Sequence, residues 1–161
     1  MRHSSARGIS DLACPYFVPT KRWEGGSWAH PSRLPLGAGW RGYCAAPGHK
    51  GAEPSEEEVR EFCNLGYALR CPRLPVQRTC DALRFSVCQD DGAILRLRFV
   101  CETAHRPAAH GTLEYDVVNS RWISLHGDPQ VQTLAECYLQ SYLARAIRSV
   151  AATANCEPIH E

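Results

Sequence analysis

Leu83-Arg84-Phe85-Ser86-Val87-Cys88-Gln89-Asp90-Asp91-Gly92-Ala93-Ile94-Leu95-Arg96-Leu97-Arg98-Phe99-Val100-Cys101 is the stretch on which the fold turns. Leu83, Phe85 and Val87 alternate with Arg84, Ser86 and Cys88, a period of two that fits a strand with one buried face. Asp90-Asp91-Gly92 supplies a hairpin turn. In the return strand Leu95, Leu97, Phe99 and Cys101 alternate with Arg96, Arg98 and Val100. Downstream, a loop over residues 103–111 holds His105, Pro107 and His110, and two further strands are expected over 113–118 and 121–125. Together these predict an antiparallel four-stranded meander.

Asp128-Pro129 then opens the longest helix, with Asp as cap and Pro at the first helical position. Its apolar stripe is Val131, Leu134, Ala135, Tyr138, Tyr142, Ala146 and Val150, which should cover the sheet. The expected fold class is α+β: the meander packed on a long C-terminal helix, with an irregular Cys-rich N-terminal wrap and one short helix.

Upstream of the hairpin the periodic pattern vanishes. From residue 14 to residue 54, 13 of 41 residues are Gly or Pro, a proportion that by itself suggests disorder. Yet the same stretch carries Trp23, Trp28, Trp40, Tyr16, Phe17 and Tyr43, and aromatics hide large apolar areas when buried. The run from His30 to Trp40 alternates turn formers with single apolar residues, as a wrapping loop would. One helix interrupts this region. Ser55 is its N-cap, Glu58 completes a capping box, and Val59, Phe62 and Cys63 share a face before Gly66 stops it. A segment that must fold without regular pattern needs a staple. Cys14, Cys44, Cys63 and Cys71 are placed to be one.

At 161 residues one domain is expected, divided into an arm (1–12), a metal-binding wrap (13–80), sheet and helix (81–150) and a tail (151–161). Residues 1–50 hold seven Lys or Arg against two acids, and residues 101–161 hold four against seven, too mild an asymmetry to imply nucleic acid. No apolar run approaches the roughly 20 residues of a membrane helix. The basic start, Met1 to Arg7, is not followed by an apolar signal core. A cytoplasmic location is expected. There nine cysteines would be thiols or metal ligands rather than disulfides.

The four wrap cysteines are separated by 29, 18 and 7 residues, so none forms the C-x2-C knuckle common in structural zinc sites. Four thiolates at wide spacing suit an iron–sulfur cluster, and Cys14-Pro15 and Cys71-Pro72 place a turn-fixing proline after two of them. The reading is a [4Fe–4S] cluster on Cys14, Cys44, Cys63 and Cys71. Zinc on Cys44, His49, Cys63 and Cys71 is the alternative, and buried free thiols without metal are the third reading. Cys80, Cys88, Cys101, Cys137 and Cys156 are expected to be packing or incidental thiols.

Four cysteine ligands leave no open iron position, so the expected role is electron transfer or redox sensing with a redox partner protein, not catalysis at the metal. A binding module is the alternative, with a structural centre and Arg84, Arg96 and Arg98 forming a patch for a protein or nucleic acid. A thiol enzyme is the third, although no cysteine is marked as a nucleophile. No phosphate loop, dinucleotide fingerprint or G-x-S-x-G elbow is present.

The strings Cys14-Pro15-Tyr16-Phe17-Val18-Pro19, His30-Pro31-Ser32-Arg33-Leu34-Pro35-Leu36-Gly37 and Cys63-Asn64-Leu65-Gly66-Tyr67-Ala68, with Cys71-Pro72, resemble a small family of uncharacterised bacterial four-cysteine proteins. The likeness extends to residues 99–102 and 111–116. More loosely, the four cysteines and two Cys-Pro steps resemble iron–sulfur proteins, which implies a cluster-binding role.

Overall fold

The computed structural model describes residues 13–24, 28 and 34–154, with side chains of the last helix described to residue 147. The expected arm, part of the wrapping loop (29–33), Cys156 and the end of the tail lie outside the described residues.

The central hairpin forms as read. β3 (Ala82–Asp90) and β4 (Ile94–Thr103) pair antiparallel, with Leu83 opposite Cys101, Phe85 opposite Phe99 and Val87 opposite Leu97. Leu83, Phe85, Leu95 and Leu97 are buried, as the alternation requires. In the turn Gly92 takes φ +84°, a conformation that favours glycine. The Asp90 and Asp91 carboxylates accept backbone N–H bonds of 2.7–3.0 Å around it. A register shift between Val87 and Gln89 leaves Cys88 exposed.

β5 (Arg106–Asp116) and β6 (Arg121–Trp122) complete a sheet of order β3-β4-β5-β6. Here two expectations are corrected. The loop over 103–111 is mostly strand: Thr103 pairs with Arg106, the ladder runs on with one register shift opposite Cys101 and Glu102, and Ala104 and His105 make the turn, at φ +50° and +61°. Such a turn normally shows Asn-Gly or Asp-Gly. This one is held by side chains from upstream. Asp81 Oδ2 accepts from the Ala104 N–H at 2.7 Å, and Tyr67 Oη from the His105 N–H at 2.9 Å. The Tyr67 ring also stacks on His105 at 4.1 Å between centroids. Residues 106–110 are all exposed, so no alternation marks them as strand. The fourth strand shrinks to two residues, and Ile123 and Leu125 beyond it are exposed.

α2 (Pro129–Ala154) starts where expected, with the Gln130 N–H donating to Asp128 Oδ1 at 2.9 Å. It runs to Ala154, into the stretch read as tail. Leu134 and Ala135 are buried, but Ala146 is exposed, and Cys137, Leu139 and Ser141 are buried although the stripe omitted them. The helix has two neighbours rather than one. Leu139 packs with Leu95 and Leu97 of the sheet, whereas Cys137 joins a cluster with Phe17, Leu36 and Trp40 of the wrap. Gly37 lies so near α2 that a Cβ there would sit 2.8 Å from Ser141 Cβ.

The wrap is less irregular than its composition suggests. β1 (Phe17–Arg22) and β2 (Trp40–Cys44) form an antiparallel pair. Ala13, Pro15, Phe17 and Pro19 are alternately buried, a strand period masked by two prolines. Leu83 donates its N–H to Ala13 O at 2.9 Å, which pins the start of the wrap to edge strand β3. α1 (Glu56–Glu58) carries the expected capping box and passes into a π-helical turn over Val59–Cys63. Among the described residues no helix is long and apolar enough to cross a membrane.

Candidate metal centre

Each of the four wrap cysteines sits at the end of a locally defined element. Cys14 and Cys71 open matching β-turns, closed by Phe17 N–H to Cys14 O at 3.3 Å and Leu74 N–H to Cys71 O at 3.2 Å. Proline follows each cysteine, where its fixed φ suits the second turn position. Cys44 is the last residue of β2, held by the Cys44 N–H to Ala52 O at 2.9 Å and the Gly51 N–H to Cys44 O at 2.8 Å. Cys63 ends the π-helical turn.

Asn64, the next residue, fixes that turn against β2. Its Oδ1 accepts the Trp40 N–H at 2.9 Å, and its Nδ2 donates to Trp40 O at 2.9 Å and Val59 O at 3.0 Å. The side chain is 1% exposed, so these bonds take the place of water. Ala45 N–H to Tyr16 O, at 2.8 Å, likewise holds the Cys44 end of β2 against the first Cys-Pro turn.

The four cysteines line one small cavity of about 30 Å³, partly open to solvent, with Tyr16, Phe17, Ala46, Phe62 and Arg73 among its other walls. Arg73 is the one charged side chain in that lining among the described residues, and Glu58 Oε1 anchors it at 3.1 Å. Backbone N–H groups point at the sulfurs. Ala46 donates to Cys44 Sγ at 3.4 Å, and Tyr16 and Phe17 donate to the Cys14 sulfur.

The electrostatics of the four thiols conflict. Burial pushes the Cys14 thiol up to about 11, the Tyr16 N–H pulls against it, and the nearby Cys44 and Cys71 add to the rise. Burial pushes Cys63 higher still, followed by the charges of Cys14, Cys71 and Cys44. Four like groups beside one apolar space cannot all ionise unless positive charge joins them. A metal centre bound among them would supply that charge and deprotonate its thiols.

All four sequence-predicted ligands are therefore brought to one place. His49 is exposed in the turn after Cys44 and does not line the cavity. Among the described residues, no group of three or more His, Cys, Asp or Glu side chains is disposed to hold a metal ion. Of the other cysteines, Cys137 is a core thiol pushed up to about 12 by burial, while Cys80 and Cys101 lie against the same core. The arginine patch is largely neutralised: Arg84 pairs with Glu102, and Arg96 with Glu114 at 2.6 Å. Of the three, Arg98 is exposed and, among the described residues, has no carboxylate partner.

The sequence reading missed Asn64 and Arg73. Asn64 had a signal, being an amide between Cys63 and the helix-stopping Gly66. Arg73 had none beyond its nearness to Cys71. No family model matches the chain, and neither a curated protein nor a solved structure does. The four-cysteine strings carry weight through their chemistry alone.

Proposed function

We propose that Cys14, Cys44, Cys63 and Cys71 hold a [4Fe–4S] cluster, and that the protein is a small electron carrier or redox sensor of the cytoplasm, working with a redox partner protein. The carrying observation is that four thiols spread over 58 residues line one largely apolar cavity. Four thiols lining one space, with no Cys-x2-Cys knuckle among them, suit a polynuclear centre better than a single zinc ion. Bound there, a cluster supplies one-electron chemistry. The chain's residues shape that chemistry. Phe17, Phe62 and Ala46 keep water from the sulfurs, and N–H bonds to Cys44 and Cys14 stabilise negative charge on them. Arg73 adds a cation at the cavity wall, which favours the more negative, reduced form.

The test is purification without oxygen, a visible spectrum, and assays of iron, sulfide and zinc. Brown protein with equal iron and sulfide is expected, with bound iron lost on Cys63→Ser and retained on Cys88→Ser. A colourless protein carrying one zinc per chain would replace the cluster with a structural zinc centre and end the electron-transfer role.

A further inference from the structure

Cys80 and Cys101 form a second pair of thiols, outside the cavity. Cys80 lies in the segment leading into β3, and Cys101 lies near the end of β4. The two thiols are neighbours, close enough that Cys101 raises the Cys80 thiol beyond what burial does. Cys80 Sγ also contacts Ala82 O at 3.4 Å, and Cys101 Sγ reaches Thr79 O at 4.0 Å.

The backbone around them is clamped. The Asp81 N–H donates to Glu102 O at 2.8 Å, and Thr103 Oγ1 donates to Thr79 O at 2.7 Å. The residues flanking Cys80 are thus bonded to the two that follow Cys101. Both thiols are half-buried, so a small solute can reach them. Bonds on either side thus hold the two cysteines as neighbours, the first requirement for joining them.

We propose that Cys80 and Cys101 are a dithiol–disulfide couple that exchanges with small disulfides of the glutathione type. One thiolate of the pair attacks a sulfur of oxidised glutathione, forming a mixed disulfide and releasing one glutathione thiolate. The second thiolate attacks the protein sulfur of that mixed disulfide and releases the other glutathione. The protein gives up two electrons and two thiol protons, and one glutathione disulfide becomes two thiols. Burial and the neighbouring Cys101 hold the Cys80 thiol protonated, so exchange speeds up as pH rises. The couple depends on neither the cavity nor its metal. Closing it would tie the segment after Cys71 covalently to β4.

The test uses the folded full-length protein as isolated, equilibrated with reduced and oxidised glutathione at several ratios, alkylated and digested without reduction. Cleavage after arginine releases peptides 79–84 and 99–121, each with a single cysteine. The expected product is these two peptides joined, lighter by two hydrogens than their sum. Its fraction should rise with the oxidised share. It should vanish in both Cys80→Ser and Cys101→Ser, leaving the remaining thiol glutathionylated. Absence of the joined peptide at every ratio overturns the proposal. So does its appearance only in urea-unfolded protein, or no more often than pairings with the other cysteines.

Discussion

Between β3 and α2, buried side chains meet neighbours of their own kind: Leu95, Leu97 and Leu139 pack together, and Phe85 stacks on Tyr138 at 5.8 Å. Between Cys14 and Cys71 a strand pair and its connecting loop lend Phe17, Leu36 and Trp40 to the same core, but the far side edges a cavity with thiols, ordered by turns and single hydrogen bonds. The first region closes on itself by burying apolar area, at roughly 25 cal/mol per Å². The second surrounds a space that its own side chains do not fill. On the proposed function, the cluster would supply part of what holds the cavity walls. If the proposed cluster binds, one chain carries a self-sufficient half and a conditional half, joined through a shared core by contacts such as Ala13 with Leu83 and Cys137 with Phe17.

The largest effect should follow removal of the centre. Structural metal sites in small domains contribute on the order of 10 kcal/mol of folding free energy. Stripping with a chelator should strongly speed amide exchange in residues 34–74 and leave β3, β4 and β5 protected. Equal loss of protection in both regions would break the comparison. The stripped chain should also weaken in alkali. A thiol titrates near 8.5 in an unfolded chain, while Cys14 in the folded chain is pushed up to about 11. Its contribution is therefore full below the lower value and is lost as pH rises through the higher one. Cys63, raised further, acts in the same direction. Loaded protein should lack this alkaline loss, because its thiolates are already bound.

Leu97→Ala probes the other half. Leu97 is fully buried, and emptying such a site costs about 2–5 kcal/mol. The melting temperature should fall, while folded protein keeps its full complement of metal. Metal content falling in step with stability would show that the halves are not separable. Asn64→Ala should act the opposite way. It leaves the Trp40 N–H and carbonyl unpaired inside the wrap, at about 1–3 kcal/mol. Metal retention should suffer more than the protection of β3 and β4 from exchange.

The two halves also differed in how well the sequence declared them. In β3 and β4 alternation was enough to mark both strands and the turn between them, though not the register shift between Val87 and Gln89. α2 was legible at its start because Asp128 and Pro129 cap it with local bonds. Its burial was not, because a second neighbour, the wrap, covers Cys137 and Ser141. β5 was hidden since residues 106–110 bury nothing, and its turn is shaped by Asp81 and Tyr67, far away in sequence. β1 was hidden by Pro15 and Pro19. The four thiols were found from residue type and turn chemistry, which are local, whereas Asn64 acts through Trp40, 24 residues away, and nothing in the string announces that pairing.

The smallest change sharpens the contrast most. Ser55 Oγ accepts the Glu58 N–H at 3.2 Å, and Glu58 returns the favour to the Ser55 N–H at 2.8 Å. This box is exposed, so Ser55→Ala should cost about 1 kcal/mol. The same Glu58 carboxylate anchors Arg73 at the cavity wall, and the turn it starts ends at Cys63. In a self-sufficient half, the loss would spread over the whole fold as a slight drop in melting temperature. In a conditional half it is felt where the ligand is held, as about fivefold weaker metal retention, the ratio equivalent to that free energy. Ser55→Asp keeps a capping oxygen and should restore retention. If retention stays unchanged in Ser55→Ala while the melting temperature drops, the wrap is held by its own packing, and its dependence on an occupant is wrong.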